Sequence, residues 1–299
     1  MHKIVPCLWF DDQAEEATNF YVSLFQNSRV LNVTRYGEAA AGASGRPKGT
    51  VLTVTFQLEG QDFMGLNGGP VFRFTPAVSF FVSCRTRQEI DTLWSRLSEG
   101  GTVLMELDSY PFSERFGWLN DKFGASWELN LKGRAQAIAP ALMFVGRQHG
   151  RAEEALDLYV SSFPNSAIVY MERWGVGEGE PEGTVKHAVF SLNGQEFMAM
   201  ENSADHRFTF TPAISLMVSC QTQEEIDYLW RKLSEGGDEG AQQCGWLQDR
   251  FGLSWQIVPT ALDEMLQDKD AARSERVWKA LLSMKKIDMA GLRRAYEQV

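Results

Sequence analysis

Phe74-Thr-Pro-Ala-Val-Ser-Phe-Phe-Val-Ser-Cys84 returns later in the chain as Phe210-Thr-Pro-Ala-Ile-Ser-Leu-Met-Val-Ser-Cys220. The match runs on through Gly101 and Gly237, with 19 of 28 aligned residues identical. A repeat with a period near half the chain is too long for a solenoid and marks a duplicated domain. Further anchors agree. Ala14-Glu-Glu-Ala with Tyr21 matches Ala152-Glu-Glu-Ala with Tyr159, and Gly49-Thr-Val51 matches Gly183-Thr-Val185. Gly117-Trp-Leu-Asn-Asp-Lys-Phe-Gly-Ala-Ser-Trp127 matches Gly245-Trp-Leu-Gln-Asp-Arg-Phe-Gly-Leu-Ser-Trp255. The second copy has four extra residues before its first helix and is eight shorter between its Gly-Gly and its Gly-Trp. Such length changes are expected in surface loops.

Each copy reads as a strand, a helix and three strands, then the same again. Residues 3–10 are a short apolar strand. Residues 13–26 are helical, with Ala14, Ala17, Phe20, Tyr21, Leu24 and Phe25 on one face and Asp11 or Asp12 as cap. Residues 50–58 alternate, Glu59-Gly60 turns, and 61–67 return. The stretch 76–84 is nearly all apolar, as in a strand covered on both faces. Thr86 with Glu89, and Thr222 with Glu225, are capping boxes for helices that Gly100-Gly101 and Gly236-Gly237 end. Short strands near 102–107, 116–120 and 126–131 complete the copy. Glycine-rich loops at 39–49 and 176–183 are expected to be mobile. The reading gives domains at 1–132 and 137–260, a linker near 132–136, and a helical extension at 261–299. In that extension Asp270 and Asp288 are caps, and Val277, Trp278, Leu281 and Leu282 form an apolar stripe. It is expected on the second domain or across the interface between domains.

Composition narrows the function classes. The 299 residues are 44% hydrophobic and 23% charged, ordinary for a globular protein. A formal net charge of -10 argues against a polyanion partner, because nucleic-acid binding depends on Lys and Arg neutralising phosphates. The longest apolar runs are far short of the ~20 residues a membrane helix needs. Cys7, Cys84, Cys220 and Cys244 have no C-x-x-C spacing and read as free thiols of a reduced, cytoplasmic protein.

The repeated strand-helix-three-strands unit resembles the module of the vicinal oxygen chelate superfamily, in which paired units form a cup around a pocket. Pro6-Cys-Leu-Trp-Phe10, Ala14-Glu-Glu-Ala17, Asn67-Gly-Gly-Pro70, the Phe-Thr-Pro-Ala blocks and the Gly-Trp-Leu segments resemble more narrowly the PhnB-like family, which carries a 3-demethylubiquinone-9 3-methyltransferase label. The resemblance covers 3–131 and 138–258, and residues 277–287 are similar to a helical extension of some members. It implies an α+β fold: paired βαβββ modules, two tandem domains forming a pseudo-dimer, and a helical tail. Single-copy relatives commonly dimerise, so a further homodimer is an open expectation.

The resemblance also poses the metal question. Glyoxalase-type relatives bind a divalent ion through His and Glu on four strands. Those positions fall near Pro6, Met64, Ala77 and Glu128 in the first copy, and near Pro140, Met198, Ala213 and Gln256 in the second. Glu128 alone is a carboxylate there, so no metal site is expected. The His that many relatives carry before Phe-x-Phe-Thr is Val71 here, with His206 its nearest analogue. His2 is terminal and His149 lies before a helix. His187 with Glu201 is the alternative polar constellation, although a half-exposed strand histidine is the plainer reading. Methyl transfer needs a glycine-rich strand-to-helix turn for its cofactor. Gly65, Gly68 and Gly69 lie between strands and read as a turn, so no cofactor is expected.

The remaining candidates for a ligand pocket are Glu128 and Gln256, with Trp9, Trp118 and Trp246 as walls; packing in the core is the competing role for the tryptophans. Asp121 and Asp249 read as turn formers. The expected function is binding of a small, partly apolar molecule without a glyoxalase-type metal. The alternatives are a lyase, isomerase or dioxygenase using an unrecognised metal or Glu128 as acid–base, and an interaction scaffold using the tail.

Overall fold

The computed structural model describes residues 3–132 and 138–298. The first copy contributes β1 (Ile4–Phe10), α1 (Ala14–Leu24), β2 (Arg29–Arg35), α2 (Glu38–Ser44), β3 (Val51–Leu58), β4 (Gln61–Asn67), β5 (Val78–Cys84), α3 (Arg87–Ser98), β6 (Thr102–Tyr110), β7 (Ser113–Asn120) and β8 (Ser126–Leu131). The second contributes β9 (Ile138–Phe144), α4 (Ala152–Ser162), β10 (Ala167–Arg173), β11 (Val185–Leu192), β12 (Gln195–Glu201), β13 (Ile214–Cys220), α5 (Gln223–Ser234), β14 (Trp246–Gln248) and β15 (Ser254–Pro259). A tail of α6 (Leu262–Leu266), α7 (Ala271–Leu282) and α8 (Met289–Glu297) follows. Apart from Lys132, the expected linker lies outside the described residues.

The strands form two curved mixed sheets, and each sheet is shared between the copies. The first runs β14-β15-β13-β1-β4-β3-β2 and the second β10-β11-β12-β9-β5-β8-β7-β6. The joints are antiparallel. β1 meets β13 with Cys7 opposite Ser215, and β9 meets β5 with Ala141 opposite Ser79. The most strongly repeated stretch sits at these joints. Thr75 Oγ1 donates to the Thr209 carbonyl and Thr211 Oγ1 to the Arg73 carbonyl, each at 2.8 Å. The Trp9 and Met143 N–H groups donate to the carbonyls of Ala213 and Ala77, again 2.8 Å each. The reciprocity is that of a two-fold interface built within one chain.

Within one connected apolar cluster, each copy packs its own two half-sheets together. Its two half-sheets belong to different sheets and pack through their convex faces. Phe63 of β4 meets Phe80 of β5 edge-on at 5.3 Å, and Tyr21 of α1 meets Trp127 of β8 at 5.2 Å. Strand alternation then aims the other side chains into the concave face, so a packed pair of half-sheets belongs to one copy and a cup to two.

Several local expectations need correction. The cap of α1 is neither Asp11 nor Asp12. Asn67 Oδ1, from the end of β4, accepts the Ala14 N–H at 2.8 Å, while Asp11 pairs with Arg46. The 39–49 loop, expected to be mobile, contains α2, whose first turn gives the Ala39 N–H to Glu275 of α7 at 2.6 Å. The eight-residue deletion removes more than loop. It falls where the first copy builds the β6–β7 hairpin, and the second copy keeps only the short β14. The tail fills the space beside it: the N–H groups of Cys244 and Gly245 donate to the Met284 and Lys285 carbonyls, both 2.8 Å. The tail caps are as expected, Asp270 accepting from Ala272 N at 2.9 Å and Asp288 from Ala290 N at 3.0 Å. The tail therefore spans both copies, because α7 also covers α2, with Trp278 against Tyr36, Ala40 and Leu52. All four cysteines are free.

Candidate functional site

The first sheet encloses a cavity of about 670 Å³. Its floor is where β1, β4, β13 and β15 meet, and there Gln256 Nε2 donates to Ser215 Oγ at 2.9 Å. Cys7 lies beside this pair among Val5 and Met64, and burial pushes its thiol up to about 11. A thiol in that state is an inert neighbour, not a nucleophile. Trp9 and Trp246 form one wall, their rings edge-on at 5.9 Å. Trp9 is held by its Nε1–H on the Gly69 carbonyl at 2.8 Å and lies flat on Gly68, where any Cβ would stand 2.1 Å from the indole. Gly65 belongs to β4 itself, so the expected glycine turn begins only at Gly68. The tail supplies the roof: Trp278, Leu281 and Leu282 of α7 with Leu262, Asp263 and Leu266 of α6.

The second cup has a different floor. Glu128 occupies the position of Gln256 and accepts a hydrogen bond from Ser79 Oγ. It is 4% exposed, and burial pushes its carboxyl up to about 7, the Ser79 bond opposing this. Phe81, Phe116, Ala139, Ala141 and Met198 surround it, with Met105, Tyr110 and Trp118 packed alongside. Trp118 sits opposite Glu128 on β7 and donates from Nε1 to Ser126 Oγ at 2.8 Å. The tail has no counterpart on this side.

The five candidates thus divide between the cups: Trp9, Trp246 and Gln256 in one, Glu128 and Trp118 in the other. His187 and Glu201 do not come together. Glu201 faces the helix layer, its carboxylate accepting from Ala152 N at 2.9 Å and Val185 N at 2.6 Å; in the first copy Asn67 accepts from Ala14 N and donates to the Val51 carbonyl at 3.1 Å. His187 pairs with Glu172 of β10, next to the Ala188–Ala199 pair, and alternation puts Glu201 on the opposite face of the sheet. Trp127 and Trp255 are core residues. Asp121 and Asp249 make the turns expected of them and more. Each also accepts from a buried tyrosine and tryptophan: Tyr21 at 2.7 Å and Trp127 at 2.8 Å, Tyr159 at 2.8 Å and Trp255 at 2.9 Å. Sequence reasoning passed over Cys7 and Ser215 because the cup-facing register lies one residue past Pro6 and two past Ala213. It also left out the tail, whose apolar stripe was visible but gave no hint of which cup it covers.

The donor set does not fit a glyoxalase-type metal. The four facing positions are Cys7, Met64, Ser215 and Gln256 in one cup, and Ala141, Met198, Ser79 and Glu128 in the other. The first offers a protonated thiol, a thioether, a hydroxyl and an amide; the second offers one carboxyl. Among the described residues no three His, Cys, Asp or Glu side chains gather as a metal group.

Two cups lined by paired βαβββ modules define a protein of the vicinal oxygen chelate superfamily. Glyoxalase I from Zea mays shares the fold, with a TM-score of 0.57 over 90% of this chain and 97% of that one at 10% identity. The family profile described as 3-demethylubiquinone-9 3-methyltransferase matches twice, at 2–130 and 136–258, and the chain belongs to this PhnB-like family. A PhnB protein from Bacillus cereus carrying the same label is 48% identical over 43% of this chain and 98% of its own, with a TM-score of 0.40. A Staphylococcus aureus protein is 34% identical over 44% and 97%, with a TM-score of 0.18. No curated protein matches. Among the described residues no helix is long and apolar enough to cross a membrane.

Proposed function

We propose that the protein binds a small, partly apolar molecule in the tail-roofed cup and does so without a glyoxalase-type metal. The observation that carries this is the cavity of about 670 Å³, walled by Trp9, Trp246 and Trp278 over a Gln256–Ser215 floor. Its size falls within the range of sites for drug-sized ligands, and its make-up is theirs: mostly apolar, with a few fixed polar groups. Placement in a reducing cytoplasm belongs to the same reading and is supported by four unpaired thiols. In this reading Gly68 and Gly69 seat Trp9 instead of cradling a methyl-donor cofactor.

The test is a thermal-shift screen of small molecules on chelator-treated protein, alone and with Ni, Zn, Mn, Fe or Mg. Hits are expected to be metal-independent and to be lost in Met64→Trp, which fills the floor. Hits that survive Met64→Trp place the ligand elsewhere. A stoichiometric metal overturns the metal-free half.

A second reading rests on Glu128. A buried carboxyl near neutrality is suited to moving a proton, so the other cup is where an acid–base step would reside. Turnover abolished in Glu128→Gln with the fold kept would favour it.

A further inference from the structure

We propose that the tail-roofed cup takes an amphipathic cation: a ring-bearing apolar body against Trp9, Trp246 and Trp278, with an ammonium or guanidinium group on the Asp263 carboxylate. This deepens, and rests on, the reading of that cup as a small-molecule site. Asp263 lies on α6 and lines the cavity at its mouth. Its carboxylate has no ion-pair or hydrogen-bond partner among the described residues. Partial desolvation raises its pKa, and no neighbouring cation offsets the effect. Several other polar groups lining the cavity are hydrogen-bonded within the protein. Gln256 is bonded to Ser215, Gln267 to Asn32 at 2.8 Å and Tyr36 to the Asn67 carbonyl, while the exposed Arg35, the other charged group of the lining, gives one N–H to the Gly49 carbonyl at 3.1 Å and keeps its charge. Asp263 is therefore an exposed carboxylate at the edge of a mostly apolar chamber, with its pairing capacity unspent. A ligand cation would supply what the protein does not.

Three further features point the same way. Three indoles line the cavity, and an indole face attracts a cation or an aromatic ring carrying one. The net charge of -10 raises the local concentration of cations and repels anions of similar shape. The group doing the selecting also lies on the tail, which begins where the family match ends at residue 258. The preference would thus rest on the tail and apply to one cup only.

The test is calorimetric titration of the full chain with three matched probes: 4-phenylbutylamine, 4-phenylbutan-1-ol and 4-phenylbutyrate. The amine is expected to bind at least about tenfold tighter than the alcohol at low salt, with the carboxylate weakest. Asp263→Asn, an exposed position, is expected to keep the melting temperature while bringing amine and alcohol affinities within about twofold of each other. Equal binding of amine and alcohol to the wild type, or an amine preference that persists in Asp263→Asn, overturns the charge assignment and leaves the cup standing. Alcohol binding that is unchanged in Met64→Trp, or no binding of any probe at millimolar concentration, removes the cup reading and this inference with it.

Discussion

Glu128→Gln is expected to stabilise the protein at alkaline pH and to do almost nothing at acid pH. Burial raises the Glu128 carboxyl from an ordinary 4.5 to about 7. Below pH 4.5 the group is protonated in both the folded and the unfolded chain and costs neither. As pH rises, the unfolded chain releases the proton first, so stability falls until the folded group also ionises near pH 7, and stays lower above it. The ~2.5-unit gap corresponds to about 3 kcal/mol, with an uncertainty of about 1 kcal/mol either way. Glutamine never ionises, and the other cup shows that the geometry accepts it: Gln256 donates to Ser215 where Glu128 accepts from Ser79. Urea melts of wild type and Glu128→Gln at pH 4.5 and pH 8.5 give the answer directly. The difference should be within about 0.5 kcal/mol at the lower pH and reach about 3 kcal/mol in favour of glutamine at the higher. The same difference at both pH values, or a less stable variant at pH 8.5, would refute the idea that burial governs this carboxyl.

Asp249→Ala removes the acceptor for Tyr159, Trp255 and the N–H groups of Phe251 and Leu253. It should cost about 3–5 kcal/mol in a denaturant melt; a loss under 1 kcal/mol would show that the hub is dispensable. Gly68→Ala puts a methyl 2.1 Å from the Trp9 indole and should displace it, seen as a shifted tryptophan emission and weaker probe binding in the first cup; unchanged emission and affinity would mean that Trp9 is not pinned there. The isolated segment 1–132 loses the strands that β1 and β5 pair with. It should run as a homodimer by light scattering, and a folded monomer would count against the shared-sheet account.

The sequence makes the repeat, the βαβββ order and the helix ends legible because local chemistry decides them. Thr86 and Thr222 do accept from Glu89 and Glu225, at 3.1 and 3.3 Å. Long-range pairings are not legible in the same way. Nothing local says that β1 pairs with β13 instead of β5, since the two strands share a sequence pattern and either would bury the same faces. The cap of α1 was misread for a related reason: a capping oxygen can come from a neighbouring strand, and Asn67 is more than fifty residues from Ala14 in the chain. For the candidate site, Trp9, Trp246 and Gln256 were readable as one set only after the cross-copy joint was known. Glu201 looked like half of a polar pair because sequence spacing does not record which face of β12 it occupies.

Shared sheets change what duplication can achieve. When two identical chains build two such cups, symmetry makes the cups identical, and every substitution appears in both. A single chain removes that constraint. Here one floor is an amide and the other a carboxyl, Gln256 against Glu128, at positions that are otherwise equivalent. The outer hairpin of the first copy has no counterpart in the second, and at that edge the tail docks on Cys244 and Gly245 through the carbonyls of Met284 and Lys285. The tail then crosses to α2 of the first copy and roofs one cup. A tail fused to a symmetric dimer would have covered both. A floor with a buried carboxyl on the side without the tail, and a roofed cup holding an amide, are therefore consequences of the same covalent join.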